Sequence, residues 1–289
     1  MNRVSIIGTG LMGRALVQTL AKHGKQLSIW NRTAEKAHAL AQPGVSVANS
    51  FGEALEASPL IIFVLSDPSY AVSTAMLQKE RAKIAGKTIV QLSSGTPQDA
   101  RKLSDFVKEA GGMYIDGGIL VHPPSIGDSQ EAEILYSGNR TAFEALEPTL
   151  SLLSSPVFLG EDPGAAATLD LAVNVAITPT LVAYLQGLKI CQSENFPTDK
   201  YISYSTKGLD DYLASKLEQA QKELPTNPAE IEETVALMAG FTKLLADYLK
   251  SLNIDAGMFD ALARLYAGGV ASGRGEHDSL CVVDLHAIS

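Results

Sequence analysis

The stretch Val4-Ser5-Ile6-Ile7-Gly8-Thr9-Gly10-Leu11-Met12-Gly13 decides the fold. A β-branched apolar run feeds straight into Gly-x-Gly-x-x-Gly, and helical spacing follows. In such a strand-turn-helix Gly8 permits the tight turn, Gly10 lets a pyrophosphate reach the backbone, and Gly13 lets helix pack on strand. Gly8, Thr9, Gly10, Leu11 and Met12 are therefore expected to cradle a dinucleotide.

Working outward, a second strand-like run, Leu27–Trp30, ends in Asn31-Arg32-Thr33. An acidic residue at this point would accept hydrogen bonds from the ribose hydroxyls of NAD and repel a 2′-phosphate. Here Arg32 offers charge-assisted contacts, Thr33 a hydroxyl, and Lys36 a further cation one helical turn on. The spacing predicts NADPH.

Up to about residue 160 short apolar runs at Leu60–Leu65, Thr88–Leu92 and Met113–Ile115 alternate with amphipathic segments. This is the βαβ signature of a parallel, doubly wound α/β sheet covered on both faces. Ligands of such sheets bind outside the carboxyl ends of the strands, so Leu65 and Ser66 are expected near the adenosine or pyrophosphate. Ser93 and Ser94 are expected to face the nicotinamide ribose. Ser50 with Glu53 makes a capping box, and Thr96 before Pro97 marks another helix start.

Beyond residue 160 leucine and alanine recur at helical spacing. Asp162-Pro163 opens a long apolar helix through Asp170 and Asn174 towards Ile190, with a kink expected at Pro179. Asp199 to Leu224 and Pro228 to Leu252 read as further helices. The division predicted is a dinucleotide-binding domain over 1–161 and a helical domain over 162–289. The long helix is too apolar to stand exposed, which predicts a homodimer.

Lysine and arginine number 23 against 32 aspartates and glutamates, a net charge of −9 with no basic run. Neither nucleic acid nor a membrane surface is the expected partner. Two cysteines without metal spacing predict neither a disulfide framework nor a metal site, and the N-terminus lacks a signal-peptide pattern. A cytoplasmic setting is the expectation.

Ile6 to Gly13, the Asn31-Arg32-Thr33 segment, and Gly164 with a polar residue at 170 and Asn174 resemble the β-hydroxyacid dehydrogenase superfamily. Within it, Leu92-Ser93-Ser94-Gly95-Thr96-Pro97 and Tyr114-Ile115-Asp116-Gly117-Gly118-Ile119 are similar to the imine reductases. The likeness runs nearly to the end, at Gly273-Arg274-Gly275-Glu276-His277-Asp278. It implies a Rossmann domain, a long interdomain helix, and a helical domain that interlocks with its twin, with the active site shared between subunits.

Two departures from the hydroxyacid dehydrogenases bear on chemistry. Their helix carries a lysine where this chain has Asp170. Their carboxylate-binding serine and glycines are replaced here by Ile119-Leu120-Val121. A carboxylate can pair with a cationic iminium in a dry pocket, so the reversal of charge points from C=O to C=N.

Asp170 could donate a proton to a neutral imine or pair as an anion with a protonated one. A lone aspartate in so apolar a run is costly without purpose. Asn174 follows on the same helical face, and Ser94 is a weaker candidate for fixing the imine nitrogen. The related reductive aminases often place asparagine at the position of Ser94 and tyrosine near that of Thr178, so their absence points to preformed imines. Leu120, Val121, Tyr212, Met238 and Phe241 are expected as apolar walls. The competing readings are an NADPH-dependent carbonyl reductase and a non-catalytic NADPH-binding protein.

Overall fold

The computed structural model describes residues 2–65, 70–128, 132–207, 209–222 and 224–286. Eight strands form one sheet: β1 Arg3–Ile7, β2 Gln26–Trp30, β3 Val45–Val47, β4 Leu60–Phe63, β5 Thr88–Gln91, β6 Met113–Ile119, β7 Glu133–Gly138 and β8 Ser155–Phe158. The helices between them are α1 Leu11–Lys22, α2 Ala34–His38, α3 Phe51–Ala57, α4 Ala71–Lys79, α5 Pro97–Glu109 and α6 Arg140–Leu150. Strand order is β3-β2-β1-β4-β5-β6-β7-β8.

The central register explains why the strands read as unbroken apolar runs. Ile6, Ile62, Val90 and Ile115 align across β1, β4, β5 and β6 and point into one core; Ile61, Ile89 and Tyr114 align one step away and point into the other. With helices over both faces, each strand is buried on both sides. The expected all-parallel sheet holds from β3 to β6, but β6 and β7 are antiparallel, and β3, β7 and β8 were not among the expected strands.

Helix starts follow local chemistry. Thr96 Oγ1 accepts from Asp99 N, as the Thr96-Pro97 signal predicts. Ser50 Oγ accepts from Glu53 N, while Glu53 reaches back to Asn49 N rather than to Ser50 N, so the box closes one residue early.

The long helix, α7 Ala165–Ser193, continues across Pro179. The chain divides into two compact units inside it, Met1–Ala176 and Ile177–Ser289. The cause lies in the first turns of α7, where Ala166, Ala167 and Asp170 are buried. The second unit holds α8 Thr198–Thr206, α9 Leu209–Ala220, α10 Val235–Ser251 and α11 Gly257–Gly269. Expected as one helix, Asp199 to Leu224 is two, because Lys207 adopts an extended backbone. Thr234, not Pro228, starts α10, its hydroxyl accepting from Leu237 N.

Candidate active site

The dinucleotide turn is shaped by glycines that tolerate no side chain. Gly8 has φ +107°, and a Cβ there would overlap the Val64 carbonyl; one at Gly13 would overlap the Gly8 carbonyl. Thr9 N–H donates to Asn31 Oδ1 (3.1 Å) and Asn31 Nδ2 donates to the Thr33 carbonyl (2.9 Å). Asn31 thus fastens the turn to the end of β2 instead of facing outward.

Three observations show that this turn fits a dinucleotide. The first turn of α1 has neither a side-chain cap nor an acidic residue, so its amides remain available to an anion. Thr9 Oγ1 is buried without a hydrogen-bond partner. Leu11 stands 82% exposed on the lip, and Met12 packs below it against the core.

At the end of β2 the surface is built for negative charge. Arg32 and Lys36 are exposed and enter no ion pair among the described residues. Thr33 precedes α2 without committing its hydroxyl to a cap. A cleft of about 270 Å³ lies between Trp30, Asn31, Arg32, His38, Val47 and Asn49.

Further along the carboxyl edge, Ser93 Oγ accepts from Leu65 N (2.8 Å). Ser93 is buried, so its role is to hold the β4 and β5 ends together, while Ser94 beside it is exposed. The expectation for Ser66 falls outside the described residues.

The acidic part of the site forms where α7 meets β6. Asp170 is 5% exposed, and Asn174 Nδ2 donates both to its Oδ1 (3.1 Å) and to its main-chain carbonyl (2.8 Å). Gly118 makes the approach possible: a Cβ there would lie 2.8 Å from Asp170 Cβ and 3.3 Å from Cγ. Burial raises the Asp170 pKa above the ordinary carboxylate range, and the Asn174 hydrogen bond opposes it.

The site also holds a second carboxylate that sequence reasoning did not single out. Asp116 is fully buried on β6, and its Oδ1 accepts from both Tyr70 (2.7 Å) and Tyr114 (2.8 Å). Its Oδ2 makes no hydrogen bond. Burial pushes Asp116 up to about 7; the two phenols and the Ala167 amide pull the other way, and Asp170 adds to the rise. Burial first, then the facing carboxylate, hold Tyr70 and Tyr114 well above the usual tyrosine range. The available signal was the alternation of Tyr114, Asp116 and Gly118 along one strand face.

Leu120 and Val121 follow β6 and are half-buried, Val121 packing against the core of the first unit. Tyr212 on α9 and Phe241 on α10 are each half exposed, and Met238 lies one turn before Phe241. These three stand in the second unit, apart in sequence from every other expected site residue.

Residues 3–160 match the NAD binding domain of 6-phosphogluconate dehydrogenase. An NADPH-dependent reductive aminase of Aspergillus oryzae (strain ATCC 42149 / RIB 40) is 39% identical over 191 residues, 66% of this chain; the chain covers 64% of that relative's length. An imine reductase from Myxococcus stipitatus, solved with NADP+, superposes with a TM-score of 0.86 at 29% identity, covering 98% of this chain and 99% of that one. An imine reductase from Pseudomonas sp. gives 0.85 at 30% identity, covering 98% of each.

Proposed function

Since the chain belongs to the family built on the NAD-binding domain of 6-phosphogluconate dehydrogenase and shares its whole length with imine reductases, we propose that it reduces the C=N bond of an imine to an amine with NADPH, Asp170 handling the proton. The observation that carries the role of Asp170 is a carboxyl 5% exposed, laid against Gly118 and held by Asn174.

Gly8 to Met12, Arg32, Thr33 and Lys36 hold the NADPH, with Asn31 and Ser93 bracing the loops around it. NADPH when bound supplies the hydride that the C=N carbon receives. Asn174 donates to Asp170 Oδ1, which leaves Oδ2 to carry the proton. That proton passes to the imine nitrogen, and the resulting carboxylate pairs with the cation it has made. Solvent then returns the proton to Asp170. Leu120 and Val121 wall the substrate, and Ser94 orients it.

A second copy of the chain covers α7, whose Val175, Ile177, Leu181 and Leu185 are 74%, 57%, 58% and 55% exposed. Sedimentation at micromolar concentration should give a dimer; a monomer would overturn that part. The reducing cytoplasm is the setting that suits a chain with two cysteines.

The test is NADPH oxidation with a cyclic imine. Turnover with NADPH should exceed that with NADH, and Asp170→Asn should lower kcat by about 10²–10⁴ while NADPH affinity holds. Near-wild-type turnover in Asp170→Asn would remove Asp170 from the mechanism.

A further inference from the structure

We propose that Tyr70 is a positioning residue that sets Ser94 against the strand on which Asp170 rests: its ring seats Gly95, and its hydroxyl is tied to Asp116 on β6. The proposal rests on the reading of Ser94 and Asp170 as groups that meet the substrate.

Ser94 is exposed between two buried neighbours, Ser93 and Gly95. Each neighbour is fixed by the chain that leaves β4. Ser93 Oγ accepts from Leu65 N (2.8 Å). Gly95 lies against the Tyr70 ring, so close that a Cβ there would overlap Cε1, Cδ1 and Cζ. Gly95 does not have the positive φ that would by itself call for glycine, so it is the ring that excludes a side chain. The position of the ring and the position of the loop therefore determine each other.

The ring is held at both ends of its residue. Its hydroxyl donates to Asp116 Oδ1 (2.7 Å), an oxygen that also accepts from Tyr114 (2.8 Å). The Tyr70 main-chain carbonyl accepts from Ser73 Oγ (3.0 Å), which in turn accepts from Gln91 Nε2 (2.6 Å) at the end of β5. Tyr70, Ser73, Gln91 and Asp116 are each no more than 2% exposed, so water does not compete for these bonds. Gln91 and Asp116 are aligned partners on the parallel strands β5 and β6, which places both anchors in one piece of sheet.

A buried ring that only filled space would need no hydroxyl, since phenylalanine does the same with no polar group to satisfy. Here the hydroxyl reaches β6 two residues before Gly118, on which Asp170 packs. Strand β6 is thus a shared frame. Asp170 rests on it through Gly118, and Ser94 is referred to it through Gly95, Tyr70 and Asp116. Such a frame matters because a misplacement of about 1 Å at a reacting centre can cost about 10²-fold in rate.

Tyr70→Phe keeps the ring on Gly95 and cuts the tie to β6. The experiment titrates NADPH by fluorescence, which counts folded sites and gives Kd, and then measures kcat and KM for a cyclic imine per NADPH-binding site. It compares Tyr70→Phe, Ser94→Ala and the double variant with wild type. Tyr70→Phe should lower kcat about tenfold while Kd for NADPH stays within about twofold. Because Tyr70 acts through Ser94, adding Tyr70→Phe to Ser94→Ala should lower kcat no further.

An unchanged kcat in Tyr70→Phe overturns the proposal. So do losses that multiply in the double variant, or an equal loss of NADPH affinity, since a merely structural residue gives those results. Gly95→Ala displaces the ring from the loop side and should show the same signature; it decides alone should Tyr70→Phe bind no NADPH. Full activity in Ser94→Ala defeats the reading of Ser94 and the proposal with it, whereas a loss there with losses that multiply defeats only the role of Tyr70.

Discussion

Asp116 and Asp162 are the same side chain in the same unit, and their surroundings drive them in opposite directions. Asp162, half exposed just before α7, receives Arg101 Nε (2.8 Å), Arg101 Nη2 (2.7 Å) and Gly164 N (3.1 Å); chiefly through the Arg101 bonds its pKa falls to about 2. Asp116, fully buried with two phenols and the Ala167 amide beside it and no cation acting on it, rises to about 7. Desolvation outweighs neutral hydrogen-bond donors when no cation accompanies them, whereas a bidentate arginine at the surface outweighs the little desolvation there. The first arrangement gives a group whose charge changes near neutrality, the second a fixed charge that anchors a helix start.

The largest effect that would break this contrast is on stability against pH. Because the folded pKa of Asp116 lies above its unfolded value of about 3.9, its protonated form is favoured by folding; the contribution is complete below about pH 4 and is lost as pH rises to about 7. A rise of that size corresponds to at most about 4 kcal/mol. Asp116→Asn should therefore lose less stability than wild type between pH 4 and 8 in denaturant titrations. Parallel curves for the two proteins would mean that Asp116 does not titrate in that window.

A smaller effect sharpens the acidic side alone. Gly118→Ala places a Cβ 2.8 Å from Asp170 Cβ, and such overpacking costs about 1–3 kcal/mol. Its expected signature is a kcat loss of about tenfold or more with NADPH affinity unchanged, because the dinucleotide turn sits on other strands. Equal losses in both would show that the two parts of the carboxyl edge are mechanically linked.

The two regions also differed in how legibly the sequence announced them. The turn at Gly8–Gly13 is local: strand, positive φ and helix start follow one another within ten residues, so pattern and chemistry coincide. The same holds for Thr96-Pro97 and for the cations beside β2. Asp170 was legible because a charge interrupts an apolar helix. Asp116 was not, since its partner Tyr70 is 46 residues away and only the fold brings them together. For a similar reason β7 and β8 escaped: β8 joins the sheet through β7, and β7 reverses against β6, a pairing that no periodicity specifies. Lys207 shows the limit for helices, where leucine spacing runs on but the backbone does not.

The smallest effect tests the exposed half of the comparison. Both partners of the Arg101–Asp162 pair are about half exposed, at 46% and 50%, so solvent and salt screen most of their attraction. Asp162→Asn keeps an acceptor for Gly164 N and removes the charge. It should lower Tm by no more than about 2–3 °C at neutral pH, less in high salt. The pKa of Asp162 is depressed, so what it contributes is present above its unfolded pKa and disappears as pH falls towards about 2. The Tm gap between wild type and variant should accordingly narrow below about pH 4. A gap that widens in acid would mean that Asp162, like Asp116, favours its protonated form, and the contrast between the two aspartates would collapse.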